Sequence, residues 1–357
     1  MSLTSLLCAA LIGSVTGQGT VVGIEQERIP FQNGRTGVTF SSPIGTLTHI
    51  QTLQLRRSDQ DAFDEDGLRF ASIAVDDDGS ELLAVSSDQR GGFVTLAMRP
   101  TAGDQYDITT ARAYPLVDPD GNRVNVSSTI SMAVNGRYRR GGRGDFTVAY
   151  LANPVFPQTL DVRRFRRGVR TRRSTAVDVT ELNQWCGFYL APQATIAHLG
   201  PRGDLLAICQ WFPDETPGPN PRRAAVPVWV YTGNTFYTFF IEATFAYNPT
   251  GVAELSNGDI MIASVVYSNP TKLRISYITS DQLKKDIDDR FRRISPLVIA
   301  DLDQADGFEI GVQSGLAVRE DPRSGRIFVY SMSDDSFTPG RTLLTTFEWE
   351  PIRNPRS

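Results

Sequence analysis

Histidine and cysteine are nearly missing from this chain of 357 residues, which has two His and three Cys, one of them Cys8. A Cys/His-rich zinc site is therefore excluded. The two histidines, His49 and His198, lie far apart and neither has a nucleophile beside it. No Ser occupies a G-x-S-x-G elbow, which removes a hydrolase triad of the familiar α/β type. Lysine is scarce too, at Lys272, Lys284 and Lys285 alone, so 33 of the 36 basic residues are Arg. After the N-terminus there is no run of about eighteen apolar residues, so no integral membrane helix is expected. With a formal charge of −4, attraction of the whole chain to nucleic acid is not expected either.

What the chain does have is turns and a repeat. Thirty Gly and 21 Pro punctuate it often enough to disfavour long helices. Five segments share a small or polar residue, an aliphatic residue and Ala, then a Gly-containing turn and an apolar strand. They open with Ser72-Ile73-Ala74, Ser131-Met132-Ala133, Thr195-Ile196-Ala197, Gly251-Val252-Ala253 and Gly315-Leu316-Ala317. Each unit reads as a hairpin. Its strands are apolar without alternation, which implies burial on both faces. A lone hairpin cannot hide such a surface, so the units must pack on one another. A spacing near sixty residues suits a four-stranded blade with generous loops. The fold class predicted is all-β, a single β-propeller. Six blades are expected, and five or seven are compatible with the same spacing. Strands around Val21 to Gln26 and Thr46 to Leu55 are expected to join Leu343 to Trp349 and close the ring. One helix is predicted, Gln282 to Phe291, capped at Thr279-Ser280-Asp281.

Ser2 to Val15 is an apolar run of small residues ending before Gly17-Gln18, and it reads as a secretory leader over residues 1–17, although no basic residue precedes it. The expected location is therefore secreted or periplasmic, with 18–357 forming the folded domain. In an oxidising compartment Cys186 and Cys209 would be available to pair; two buried thiols in neighbouring strands fit the sequence equally.

The stretch Asp301 to Trp349 resembles the C-terminal signature of the phytase-like propeller family, described as having esterase-like activity. The resemblance rests on Gly307-Phe308-Glu309, Ser314-Gly315-Leu316-Ala317, Ser331-Met332-Ser333-Asp334-Asp335-Ser336-Phe337 and Arg341-Thr342-Leu343-Leu344. Asn248 to Ala253 with Asn257-Gly258-Asp259 is similar to the family's penultimate blade, and Asp66 to Arg90 to its opening one. Two departures weaken a catalytic carry-over. Ser336 replaces an Asn after the paired aspartates, and Ile310 to Gln313 separates Glu309 from the Ser-Gly-Leu motif.

The resemblance implies a propeller mouth where acidic residues converge. Asp334, Asp335 and Glu309 are the expected catalytic carboxylates, and Asp88, Asp334 and Asp335 the expected metal ligands. Several carboxylates together suit calcium, which takes oxygen ligands and polarises phosphate or activates water. Arg90 and Arg341 would grip phosphate oxygens through paired N–H donors. The alternative for Asp334-Asp335 is a turn cap bonded to backbone amides. Asp76-Asp77-Asp78-Gly79 reads as a hairpin turn. Arg137 to Arg173 holds eleven Arg against Asp145 and Asp161, and fits either a polyanion site or an exposed edge strand at Arg163 to Arg167. The expected activity is metal-assisted phosphoester hydrolysis by a monomer. The alternative is a non-catalytic propeller binding a polyanion or a protein partner.

Overall fold

The computed structural model describes residues 19–58, 68–87, 91–124, 126, 128–152, 158–186, 193–210, 224–233, 235–243, 246–285, 292–334 and 341–352. They form one β-propeller of five blades. Blade 1 runs outward from Phe70–Val75 through Glu81–Ser86 and Gly92–Pro100 to Tyr106–Pro115, with Thr20–Val22 added at its rim. Blade 2 comprises Ser128–Arg139, Arg143–Leu151, Leu160–Phe165 and Thr175–Val177. Blade 3 comprises Ala194–Leu199, Asp204–Cys209, Ala224–Thr232 and Thr235–Ala243, extended by a short parallel strand, Arg293–Ile294. Blade 4 holds Asn248–Glu254, Ile260–Val266, Lys272–Ile278 and Leu297–Asp303.

Blade 5 is assembled from both ends of the described chain. Val312–Glu320, Ile327–Asp334 and Thr342–Pro351 are followed outward by Gly45–Arg57, which pairs antiparallel with Thr342–Pro351 from Thr342↔Leu55 to Pro351↔Gly45. Ile24–Ile29 and Thr39–Ser42 add to Gly45–Arg57. The terminal strands thus complete the fifth blade and form no sixth, and Thr20–Val22 departs to blade 1.

Apolar residues sort by strand pleat into five buried clusters, one at each blade–blade interface. Along Glu81–Ser86, Leu82 and Ala84 face the cluster shared with blade 5, and Leu83 and Val85 the one shared with blade 2. Ile260 and Ile262 face blade 3, while Met261 and Ala263 face blade 5. Burial on both faces is why these strands lack polar alternation.

The repeat's opening triplets lie on the five innermost strands, and Ala74, Ala133, Ala197, Ala253 and Ala317 all line the channel that these strands enclose. In blades 1 and 2 the triplet's first residue bonds each blade to the next. Ser72 Oγ donates to Met132 O at 3.2 Å, and Ser131 Oγ accepts from the Ile196 amide at 3.0 Å.

Two expectations are corrected. The arginine-bearing strand Leu160–Phe165 is not the edge of blade 2, because Thr175–Val177 pairs outside it. The capped helix exists, with Thr279 and Gln282 in a reciprocal capping box, but it spans Ser280–Lys284; residues 286–291 lie outside the described ones. A second short helix, Thr180–Trp185, gave no capping signal and has no side-chain cap at Val179.

Candidate functional site

All five inner strands begin at one end of the channel, where a cavity of about 150 Å³ opens. Every blade contributes to its wall. Ser87 comes from blade 1, Thr129 from blade 2, Gln193 and Gln210 from blade 3, Thr250 and Tyr267 from blade 4, and Ser314 and Asp334 from blade 5. Hydroxyls fix the rim to neighbouring backbone: Thr250 Oγ1 donates to Gln313 O at 2.5 Å, and Ser314 Oγ to Phe70 O.

Asp334 is the one carboxylate among the described wall residues. It ends the strand Ile327–Asp334, and its Oδ2 accepts from Ser87 Oγ at 3.0 Å across 247 positions of sequence. Tyr267 lies in the same wall. Burial, with the Asp334 charge adding to it, raises its phenol well above the usual value, so it stays protonated as a donor. Thr129 is 1% exposed, and its Oγ1 finds no hydrogen-bond partner among the described residues. A buried hydroxyl in that state invites water or a ligand oxygen.

Asp334 thus lines the mouth. Asp88, Arg90 and Asp335 lie outside the described residues, although Ser87 and Asp334, the sequence neighbours of Asp88 and Asp335, both line the cavity. Glu309 and Arg341 are ion-paired to one another and are absent from the cavity wall. The Glu309 amide also donates to Phe31 O at 2.7 Å, so N-terminal chain secures this loop. Among the described residues no three His, Cys, Asp or Glu side chains gather into a metal-holding group. The polar groups of the described mouth are hydroxyls, the amides of Gln193 and Gln210, and one carboxylate.

Cys186 and Cys209 form a disulfide with Cα atoms 5.1 Å apart. Asp76 caps its own hairpin, accepting from the Ser80 amide at 2.7 Å and the Glu81 amide at 2.9 Å. His198 is a strand residue whose ring bonds Thr147 Oγ1 and Gly203 O, both at 2.8 Å, so it is spent on structure.

Two other hollows differ in kind. At the far end of the channel, about 220 Å³ is walled by the five alanines with Asp77, His198 and Glu254. A larger recess of about 350 Å³ lies against blade 1, walled mainly by Phe70, Phe93, Tyr114 and other apolar groups. It is bigger than the mouth, yet it is built chiefly by one blade and holds no carboxylate among its described lining residues. The mouth gathers polar groups from all five blades, and that convergence is what positions chemistry.

The hydroxyl and amide groups of the wall escaped sequence reasoning because lone Ser, Thr and Gln residues in strands form no motif. Their one shared signal is position, at or just before the start of an inner strand or just after the strand that follows it.

No family model matches the chain, and none of the curated proteins does. Among solved structures the chain is similar to the tail fiber of Staphylococcus aureus phage P68, at 11% identity and a TM-score of 0.38, covering 92% of this chain and 53% of that one. It is similar to the RS223 β-xylosidase, at 11% identity and a TM-score of 0.43 over 81% of this chain and 94% of the other. It is also similar to a gluconolactonase of Xanthomonas campestris, at 12% identity and a TM-score of 0.39 over 93% and 99%.

Proposed function

We propose that this chain is an exported phytase-like propeller that acts at the channel mouth as a metal-assisted phosphoester hydrolase. The observation that carries this reading is the Ser87–Asp334 hydrogen bond. It joins, at a five-bladed mouth, the segment running on to Asp88 and Arg90 and the segment running on to Asp335. The family resemblance nominated the same two segments for metal and phosphate.

Asp334 supplies the negative charge that a calcium ion needs, with Asp88 and Asp335 as the further ligands proposed from sequence. Bound there, the cation would polarise a phosphoryl oxygen and acidify water. Protonated Tyr267 offers a hydrogen bond to charge developing on the substrate's oxygens. The Thr129 hydroxyl orients water or substrate. Arg341, engaged by Glu309, steadies the strand entry, and the phosphate-gripping role falls to Arg90. The Cys186–Cys209 disulfide supports export, since such bonds persist in oxidising compartments.

A second reading is a binding propeller without turnover. It is favoured by the neutral character of most of the mouth, where the described wall holds one carboxylate and no cationic side chain.

Phosphate release from phytate and from 4-nitrophenyl phosphate, with calcium and with chelator, separates the two. Turnover that needs calcium and disappears in Asp334→Ala supports the hydrolase. Absence of turnover in the wild type under every metal condition leaves the binding reading.

A further inference from the structure

We infer that a corner of blade 2, at the opposite end of the wheel from the mouth, is a docking surface for an anionic polysaccharide. Two turns build it. The first joins Ser128–Arg139 to Arg143–Leu151, and the second follows Leu160–Phe165. They are locked together through glycine. The Val169 amide donates to Gly142 O at 2.9 Å, and Gly142 and Gly168 hold φ of +67° and +79°. A Cβ on Gly168 would lie 1.9 Å from Gly142 O, and one on Gly142 would lie 2.3 Å from Val169 Cγ2. Only glycine permits this approach, so the two turns present their side chains as one rigid surface.

That surface is arginine. Arg137, Arg139, Arg140 and Arg143 on the first turn are exposed, as are Arg166, Arg167, Arg170, Arg172 and Arg173 on and after the second. The two acids within the same stretch are engaged by other arginines. Asp145 is held by Arg164 and Asp161 by Arg163, both on the strand between the turns. Among the described residues the nine make one ion pair, Arg137 with Asp77 at 3.6 Å, and Arg137 remains 76% exposed there. Eight of the nine make no ion pair among the described residues, and the Glu81 carboxylate that accepts from the Gly141 and Gly142 amides is buried beneath the first turn, so on a chain of net charge −4 the patch forms a local field that whole-chain charge conceals. Arginine in place of lysine suits oxyanions taken two oxygens at a time.

The surroundings of these arginines select the partner class. The neighbouring aromatic side chains, Tyr138, Phe146 and Phe165, are buried at 3% exposure or less, so no ring is offered for stacking on bases. Among the described residues the exposed large apolar ones, Val21, Phe236, Leu297, Val298 and Ile352, all lie outside these turns, which therefore present no apolar wedge for a bilayer. A sulfated or carboxylated sugar chain, read by charge alone, fits both facts.

The test is fluorescence anisotropy of labelled dextran sulfate against the full chain over a range of salt. The wild type is expected to bind with a steep inverse salt dependence. R139Q/R140Q/R166Q/R167Q is expected to weaken binding at least tenfold and to flatten the salt slope, while R99Q/R323Q, altered at exposed arginines of blades 1 and 5, changes it less than twofold. Should the quadruple variant unfold, R139Q/R140Q and R166Q/R167Q are each expected to weaken binding about threefold. Equal losses in the patch and control variants would overturn the assignment. So would tighter binding to poly(dT) or to phosphatidylserine vesicles than to dextran sulfate.

Discussion

Gly251 of blade 4 faces Leu316 of blade 5 so closely that a Cβ built on it would lie 2.8 Å from Leu316 Cβ and 2.9 Å from the Leu316 amide nitrogen. Gly315 repeats the relationship one blade on, 3.1 Å from Ile73 Cγ1 and 3.2 Å from the Ile73 nitrogen. The glycine that opens each of these two repeats is thus set by the distance between adjacent inner strands. Gly251→Ala should destabilise the fold by about 1–3 kcal/mol through overpacking against backbone. Gly315→Ala, with a looser contact, should cost less. Urea unfolding of both variants measures the order, and an unchanged midpoint for Gly251→Ala would contradict the packing described.

Acid should weaken the protein through His49. Its ring stacks on Phe31 with centroids 4.3 Å apart, its Nε2 meets Thr52 Oγ1 at 3.0 Å, and burial lowers its pKa to about 4. The folded state therefore holds His49 neutral, whereas the unfolded chain protonates it below about 6.5. Stability is complete above pH 6.5 and drains away as pH falls toward 4. Between pH 7 and pH 5 the loss from this group is about 2 kcal/mol. His198, also lowered by burial, acts in the same direction. His49→Gln should show a pH 7 to pH 5 loss smaller than wild type by about that amount, whatever its absolute stability. Equal pH dependence in the two proteins would show that His49 is not the acid-sensitive group.

Reduction should weaken blade 3. The disulfide joins the end of helix Thr180–Trp185 to strand Asp204–Cys209 across 23 positions. Closing a loop of that length stabilises by about 3 kcal/mol in the chain-entropy account. Cys186→Ser with Cys209→Ser should therefore lower the thermal midpoint, and dithiothreitol should then have no additional effect. A double variant as stable as wild type would contradict this.

The wheel was legible because its physics is local and repeated. Ala74, Ala133, Ala197, Ala253 and Ala317 announce one inner strand each, and Leu82 to Val85 betray burial on both faces. The number of blades was less legible, since spacing cannot tell whether Gly45–Arg57 starts a blade or completes one; pairing with Thr342–Pro351 decides it. The edge of blade 2 was misread because Thr175–Val177 is too short to announce itself, and it covers the arginine strand. Asp334 was legible at the mouth through its motif. Thr129, Gln193 and Gln210 were not, because ring closure alone brings them together. The Glu309–Arg341 pair was equally hidden, spanning 32 positions with no periodic relation.

The proposed calcium site at Asp334 is open to direct titration. Calorimetric titration of calcium into the wild type should show one saturable site. Asp334→Asn should abolish it, while Asp104→Asn, which alters a carboxylate held by Arg326 outside the mouth, should leave it intact. Identical isotherms for wild type and Asp334→Asn would contradict a metal-dependent mouth.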